Sequence, residues 1–243
     1  MSHFLTLVIV EEKRIRTRSD AEGEVARLLA PYDEALVTAP RPVYMDAADV
    51  HDMAKHYGMP LTDLVALAKK IEDWHSLPGG ITEEGDLYYL TTHNEQGKWD
   101  WYCIGGRWTG WATKSDPAAD PENYEPCWVC GATGLRNDAP GTQARQADPD
   151  YTCNGCRGSR QMLRFPSKWK RVESDISPVA SLRSDSSPHA IITPDGEWHE
   201  AGRMVSFAIV LDEKPDVIWD DEVASLLTKY QNGYLAVVVD CHT

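Results

Sequence analysis

Cys127–Gly134, CWVCGATG, places two thiols three residues apart with a glycine directly behind the second. Its reading decides how residues 127–171 fold, because such a pair is a redox centre, half a disulfide framework or half a metal site. The chain supplies a second pair. Twenty-two residues separate Cys130 from Cys153, and Cys153-Asn-Gly-Cys156 repeats the spacing with Gly155 inside it. Zinc takes four thiolates in a tetrahedron, and a Cys-x-x-Cys turn supplies two of them from one side. Small residues beside the cysteines let backbone amides turn toward the sulfurs and offset their charge. Two such knuckles joined by a loop predict a closed site in which Cys127, Cys130, Cys153 and Cys156 hold one zinc ion. The linker is slightly longer than the usual ribbon spacing, which costs little closure entropy. A thioredoxin-like centre needs only one pair, at the start of a helix after a strand. Disulfides need an oxidising compartment. Phe4–Val10 (FLTLVIV) is short, follows no basic region and runs into Glu11-Glu12-Lys13, so it reads as a strand and not as an export signal. The expectation is a cytoplasmic protein. Iron is the other metal that four thiolates accept, zinc the commoner.

CWVCGATG and CNGCRGSR resemble two degenerate copies of the Cys-x-x-Cys-x-Gly-x-Gly repeat of the DnaJ cysteine-rich domain. Ala132 stands where that repeat has its first glycine, and Arg160 where it has its last. That domain uses four repeats for two zincs, so two repeats imply one zinc. The resemblance imports no chaperone activity, because the His-Pro-Asp signature of the J-domain is absent.

The 243 residues allow one large domain or two small ones, and the 42% apolar content builds a core without staples. A net charge of −14 opposes non-specific adhesion to nucleic acid or an anionic membrane. The charge is uneven. Arg157, Arg160, Arg164, Lys168, Lys170 and Arg171 fall in a stretch with no acidic residue, which leaves −20 for the rest of the chain. Phe165 and Trp169 interleave with this stripe. Rigid basic loops suit phosphate backbones, and guanidinium and aromatic faces stack on unpaired bases. An acidic protein partner fits the same stripe, and the plain reading is a solvated linker that pairs with the chain's own acids.

Along the chain, Phe4–Val10 predicts a first strand, and Ser19 or Asp20 caps a helix that runs to Ala30. Ala35–Thr38 reads as a short strand before a loop with Pro40 and Pro42. Asp46 caps Ala47–Tyr57, which Gly58 stops, and Thr62 caps a helix to Trp74. These two helices have helix-turn-helix spacing. The second opens on Asp63 and has no basic residue before Lys69, whereas a recognition helix reads bases near its start with Arg, Asn or Gln. A helical hairpin packed on the body is the better reading. Leu87–Thr92 and Trp101–Ile104 predict strands joined by the turn His93–Lys98, and His189–Thr193 with Glu197–Glu200 predicts a hairpin. Met204–Leu211 reads as one strand, Asp221–Tyr230 as a helix and Tyr234–Asp240 as the last strand. This order predicts an α+β body, a ferredoxin-like antiparallel sheet with helices on one face. Ser/Asp/Pro-rich stretches bracket the cysteines. The expected segments are 1–112 and 174–243 for the body, with 113–173 an inserted zinc ribbon and its linker.

Residues 99–111, WDWYCIGGRWTGW, hold four of the nine tryptophans. Trp101 and Trp108 on either side of Arg107 would make a ligand surface, with Gly105 and Gly106 allowing close approach. The competing account has the tryptophans filling the core, and it is the stronger. Gly105-Gly106-Arg107-Trp108 after an aromatic strand, Pro194–His199 (PDGEWH) and Val239–His242 (VDCH) resemble a family of proteins of tailed bacteriophages, chiefly those of actinobacteria. There the cysteine ribbon is an insert between the same two blocks. The resemblance implies an intracellular protein made during infection. It supplies no activity and no catalytic residues.

Three function classes follow. The first is a zinc-binding accessory protein whose ribbon and stripe bind a host or phage protein or nucleoprotein complex, nucleic acid included and membrane excluded. The second is an enzyme with a cleft near Arg107, His199 and His242, helped by Asp195, Glu197 or Asp240; it requires those residues to converge. The third is a self-assembling structural protein with the aromatic segment as a symmetric interface. Cys103 and Cys241 read as small buried hydrophobes.

Overall fold

The computed structural model describes residues 2–75, 78–169, 175–182, 186–205 and 209–243. In chain order they form β1 (His3–Glu11), α1 (Arg18–Leu29), β2 (Arg41–Tyr44), α2 (Ala47–Tyr57), α3 (Leu64–His75), β3 (Gly79–Ile81) and β4 (Leu87–Thr91). There follow β5 (Trp101–Ile104), β6 (Tyr124–Pro126), α4 (Ala139–Ala147), β7 (Gln161–Leu163), β8 (Ile176–Pro178), β9 (Ala190–Ile192) and β10 (Trp198–Glu200). The chain closes with β11 (Arg203–Val205), β12 (Ile209–Leu211), α5 (Asp216–Lys229) and β13 (Tyr234–His242). Its contacts divide it into two compact units, one of residues 1–30 with 98–243 and one of residues 31–97. The cysteine module falls within the first. No helix among the described residues is long and apolar enough to cross a membrane.

The first unit is built on the pair β1–β13, antiparallel over their whole length from His3↔His242 to Glu11↔Tyr234. The strand order is β10-β9-β1-β13-β5, with β8 beside β5 on the free side of β13. β1 and β9 run parallel, Thr6 opposite Ala190. The sheet is therefore mixed, where a ferredoxin-like antiparallel sheet was expected.

The helices also depart from the expectation of one face. Leu5, Leu7 and Ile9 pack with Trp219, Val223 and Tyr230 of α5 and its C-terminal end. Strand alternation turns Phe4, Thr6, Val8 and Val10 to the other face, where Val10 and Leu28 of α1 border one small cleft. With a helix on each face, the central strands lose their polar side, and Phe4 through Val10 are all buried. Each such aliphatic side chain contributes about 1.5–3 kcal/mol by leaving water.

Local chemistry sets the ends of α1. Thr17, not Ser19 or Asp20, is its N-cap: Thr17 Oγ1 accepts from the Asp20 amide at 3.2 Å, and the Asp20 carboxylate accepts from the Thr17 amide at 2.8 Å. At the other end, Trp99 Nε1 donates to the Leu29 carbonyl at 3.1 Å. Met204–Leu211 is two short antiparallel strands, Arg203 opposite Leu211, whose connection lies outside the described residues. The hairpin of β9 and β10 forms as expected, Ile192 opposite Trp198.

The second unit is a three-stranded sheet, β2-β4-β3, covered by α2 and α3 around Met53, Leu67, Ile71 and Leu87. Asp46 caps α2 and Gly58 ends it in left-handed backbone, as read from the sequence. The cap of α3 is Asp63, whose carboxylate accepts from the Ala66 amide at 3.1 Å, not Thr62. Residues 35–38 form no strand; the strand is Arg41–Tyr44, through Pro42. As an edge strand it tolerates a residue with no N–H to donate. β4 and β5 belong to different sheets and form no hairpin. The apolar side of α3, Leu67, Ala68 and Ile71, is used in this unit's own core.

Candidate metal centre

The four predicted ligands converge. The Sγ atoms of Cys127, Cys130, Cys153 and Cys156 all lie within 4.8 Å of one another, and all four residues are buried. Cys127 and Cys153 sulfurs are 3.9 Å apart, and Cys130 and Cys156 sulfurs 3.8 Å. A disulfide would bring a pair to about 2.05 Å. A metal with sulfur bonds of about 2.3 Å gives a regular tetrahedron with edges of about 3.8 Å, so the donor set fits zinc.

The two knuckles are copies in conformation as well as in sequence. After Cys130, Gly131, Ala132 and Gly134 have φ of 60°, 59° and 81°; after Cys156, Arg157, Gly158 and Arg160 have 50°, 85° and 69°. Thr133 Oγ1 lies 2.8 Å from the carbonyls of Cys130 and Leu135, and Ser159 Oγ lies 2.7 and 2.8 Å from those of Cys156 and Gln161. The halves also hold each other. The Cys127 amide donates to the Arg160 carbonyl at 2.9 Å, and the Cys153 amide to the Gly134 carbonyl at 2.9 Å. The module thus has a local two-fold pattern, with the four sulfurs gathered about its axis. Gly155 permits the close approach, since a Cβ there would sit 2.9 Å from Val129 Cγ2. Below the knuckles β6 pairs with β7, Pro126 opposite Gln161. In the long linker, α4 is capped by Asp138 and tied to the second knuckle by Arg136, whose Nη1 lies 3.4 Å from Asn154 Oδ1.

The electrostatics match a thiolate site. Burial pushes the Cys127 thiol up to about 11. Burial acts the same way on Cys130, but the Gly134 amide and the neighbouring thiols outweigh it and bring that thiol down to about 6. A metal ion bound here would replace the remaining protons and supply positive charge to the four sulfurs.

No family model, curated protein or solved structure matches the chain.

The basic stripe divides by environment. Arg157, Arg160 and Lys168 are exposed, and none of these three side chains makes an ion pair with another described residue. Arg164 is half-buried: its Nε donates to the Tyr124 carbonyl at 3.2 Å and its amide to Asn123 at 2.8 Å, so it staples the ribbon. Trp169 is half-buried and donates to the Arg164 carbonyl at 2.8 Å, whereas Phe165 is 60% exposed. Lys170 and Arg171 lie outside the described residues. Sequence reasoning passed over Trp128, which is 66% exposed on the first knuckle; its place between two clustered cysteines was the available signal.

The Gly105–Trp108 turn proves to be held by buried carboxylates. Asp240 Oδ2 accepts from the Arg107 amide at 2.9 Å, and Asp175 accepts from Thr109 Oγ1 at 2.5 Å and the Gly110 amide at 3.0 Å. Gly105 and Gly106 take φ of 77° and 55°, and a Cβ on them would strike Asp175 and Asp240 respectively. Trp108 packs against the main core and Trp101 is 41% exposed. Arg107 faces solvent, on a turn packed against the Pro166–Lys168 turn of the basic stripe.

The proposed catalytic cleft does not assemble. His199 Nδ1 pairs with Glu222 of α5 at 3.0 Å, and His242 Nδ1 with Asp100 at 2.6 Å. β9 and β1 lie between their strands, a separation of three strand spacings, or about 14 Å. Asp195 accepts from Thr193 in the turn beside Glu197. Asp240 pairs with His3 at 2.9 Å. Cys241 is buried with its thiol pushed up to about 12 by desolvation, and neither it nor Cys103 joins the metal cluster.

Proposed function

We propose that the chain is a zinc-binding accessory protein of phage type, acting in the host cytoplasm by binding a macromolecular complex of host or phage. The observation that carries this reading is the closed cluster of four cysteines, whose knuckles fix Arg157 and Arg160 in left-handed backbone with neither side chain in an ion pair among the described residues. On a chain of net charge −14, exposed cations that make no ion pair among the described residues are available to an anionic partner. The metal supplies rigidity: it closes the module and neutralises its thiolates, while Cys127, Cys130, Cys153 and Cys156 hold it. Arg107 extends the surface, because its turn abuts that of Lys168. The mechanism is recruitment, blocking or stabilisation of the bound complex, without catalysis. Exposed Phe165 and Trp128, in the same module as Arg157 and Arg160, favour a second reading, in which the anion is single-stranded nucleic acid.

Native mass spectrometry of protein purified without chelator tests the site. One zinc per chain, lost in the Cys127→Ser, Cys153→Ser variant, is the expected result. Absence of metal sinks the reading. The partner is tested by affinity capture from infected cells with wild type and with an Arg157→Glu, Arg160→Glu, Lys168→Glu variant. A protein captured only by wild type supports the first reading, and nuclease-sensitive capture the second.

A further inference from the structure

Away from the cysteine module, β1 and β13 bring two histidines face to face, His3 opposite His242. The adjoining Ser2 and Thr243 exchange both backbone hydrogen bonds, each at 3.1 Å. His3 and His242 are therefore the non-hydrogen-bonded pair, in which cross-strand side chains come closest. Their ring centroids lie 4.9 Å apart, with planes at 72°. A carboxylate accepts from each ring at Nδ1: Asp240 from His3 at 2.9 Å, and Asp100 from His242 at 2.6 Å. Asp240 is buried and is itself fixed by the Arg107 amide. An ionised carboxylate has no proton to give, so Nδ1 carries the hydrogen and Nε2 keeps its lone pair. Neither Nε2 has a hydrogen-bond partner among the described residues. The two side chains are 17% and 13% exposed, which lets ions reach rings that are otherwise held in place.

A protein presents imidazole to a metal in this way: the outer hydrogen bond sets the tautomer and aims the ring. The spacing agrees. Two imidazoles on one ion, with metal–nitrogen bonds of about 2.1 Å, hold their ring centroids about 4.5–5.2 Å apart for angles from right-angled to tetrahedral. The observed 4.9 Å falls inside that range. No third His, Cys, Asp or Glu among the described residues completes the set, so the remaining positions are left to water or to an incoming ligand. Imidazole nitrogen suits zinc, copper and nickel, whereas magnesium and calcium take oxygen.

We propose that His3 and His242 chelate one divalent transition-metal ion through their Nε2 atoms, with Asp240 and Asp100 as positioning residues. The proposal does not rest on the cysteine centre. Two neutral imidazoles hold a metal less tightly than four thiolates, so this site fills only when metal is added. Zinc is the probe, titrated into the full-length, untagged chain while long-range proton–nitrogen NMR follows the ring nitrogens of His3 and His242. The Nε2 resonances of both rings are expected to move together and to saturate with one zinc, the Nδ1 resonances staying near their places. His242→Gln should weaken zinc binding at His3 by about tenfold or more, and Asp100→Ala by about tenfold. Asp100 is half exposed, so its removal keeps the fold, which an otherwise unchanged amide spectrum checks. A response at one ring only, shifts that never saturate, or an undiminished affinity in either variant would each overturn the proposal. The cysteine centre is judged by a different readout, the zinc retained through purification, so the two results are read separately.

Discussion

Ala132 and Arg160 occupy positions where glycine would be at ease, with φ of 59° and 69°. Left-handed backbone costs an L-residue with a Cβ about 1 kcal/mol. Ala132→Gly and Arg160→Gly are each expected to raise the stability of the metal-loaded protein by about 0.5–1 kcal/mol, measured by denaturant unfolding. Arg160→Gly should at the same time weaken partner capture, separating the stability of the knuckle from its use. His189 is a second informative residue. Burial, with the ring against Phe4 at 5.2 Å, holds its imidazole below the ordinary value of 6.5. The unfolded chain therefore takes up a proton first as pH falls. The contribution is complete above about pH 6.5 and is lost progressively below it. Unfolding free energies across that range should fall with acid in wild type and fall less in His189→Phe. The clustering of the four cysteines was legible from sequence because their chemistry lies in short, regular spacings. Asp175 was not: its partner Thr109 is 66 positions away, and its own surroundings in the chain are low in complexity.

The knuckle module illustrates how little else holds an element of this kind. Its buried cluster consists of the four cysteines, with Val129 and Met162 packed partly against them. Without a metal, four sulfurs would face one another with only Val129 and Met162 packed beside them among the described residues. Chelation is expected to unfold β6, β7 and the knuckles while β1 and β13 stay protected, an outcome that amide hydrogen exchange resolves strand by strand. Loss of protection throughout the first unit would show that the module carries the sheet. Helix existence was legible from periodicity, and the Asp46 cap and Gly58 stop of α2 from local chemistry. Caps elsewhere slipped by one to three residues because several Ser, Thr and Asp compete near each start, and only tertiary packing selects among them. The strand through Pro42 was missed for a related reason: edge position, which excuses the proline, is not written in the local sequence.

Over the whole molecule, the decisive pairings are remote in sequence. Phe4–Val10 announced a strand, but its parallel neighbour Ala190–Ile192 and the helices on both faces could not be read from a window of local residues. The ferredoxin-like expectation assumed one wet face, and β1 has none. The charge map was more accessible, since sums along the chain need no fold. An acidic body with a few exposed cations that make no ion pair among the described residues predicts partner binding that weakens as salt rises from about 0.05 to 0.2 M, measured by surface plasmon resonance. Binding that is indifferent to salt would place the contact on apolar groups such as Phe165 instead. The reciprocal bonds between the knuckles have a further outcome. Since the first amide of each rests on the last carbonyl of the other, neither half keeps its shape alone. Metal capture then becomes an all-or-none event: with cobalt as a spectroscopic substitute, the tetrahedral ligand-field bands should grow in one step, with no two-sulfur intermediate on the way.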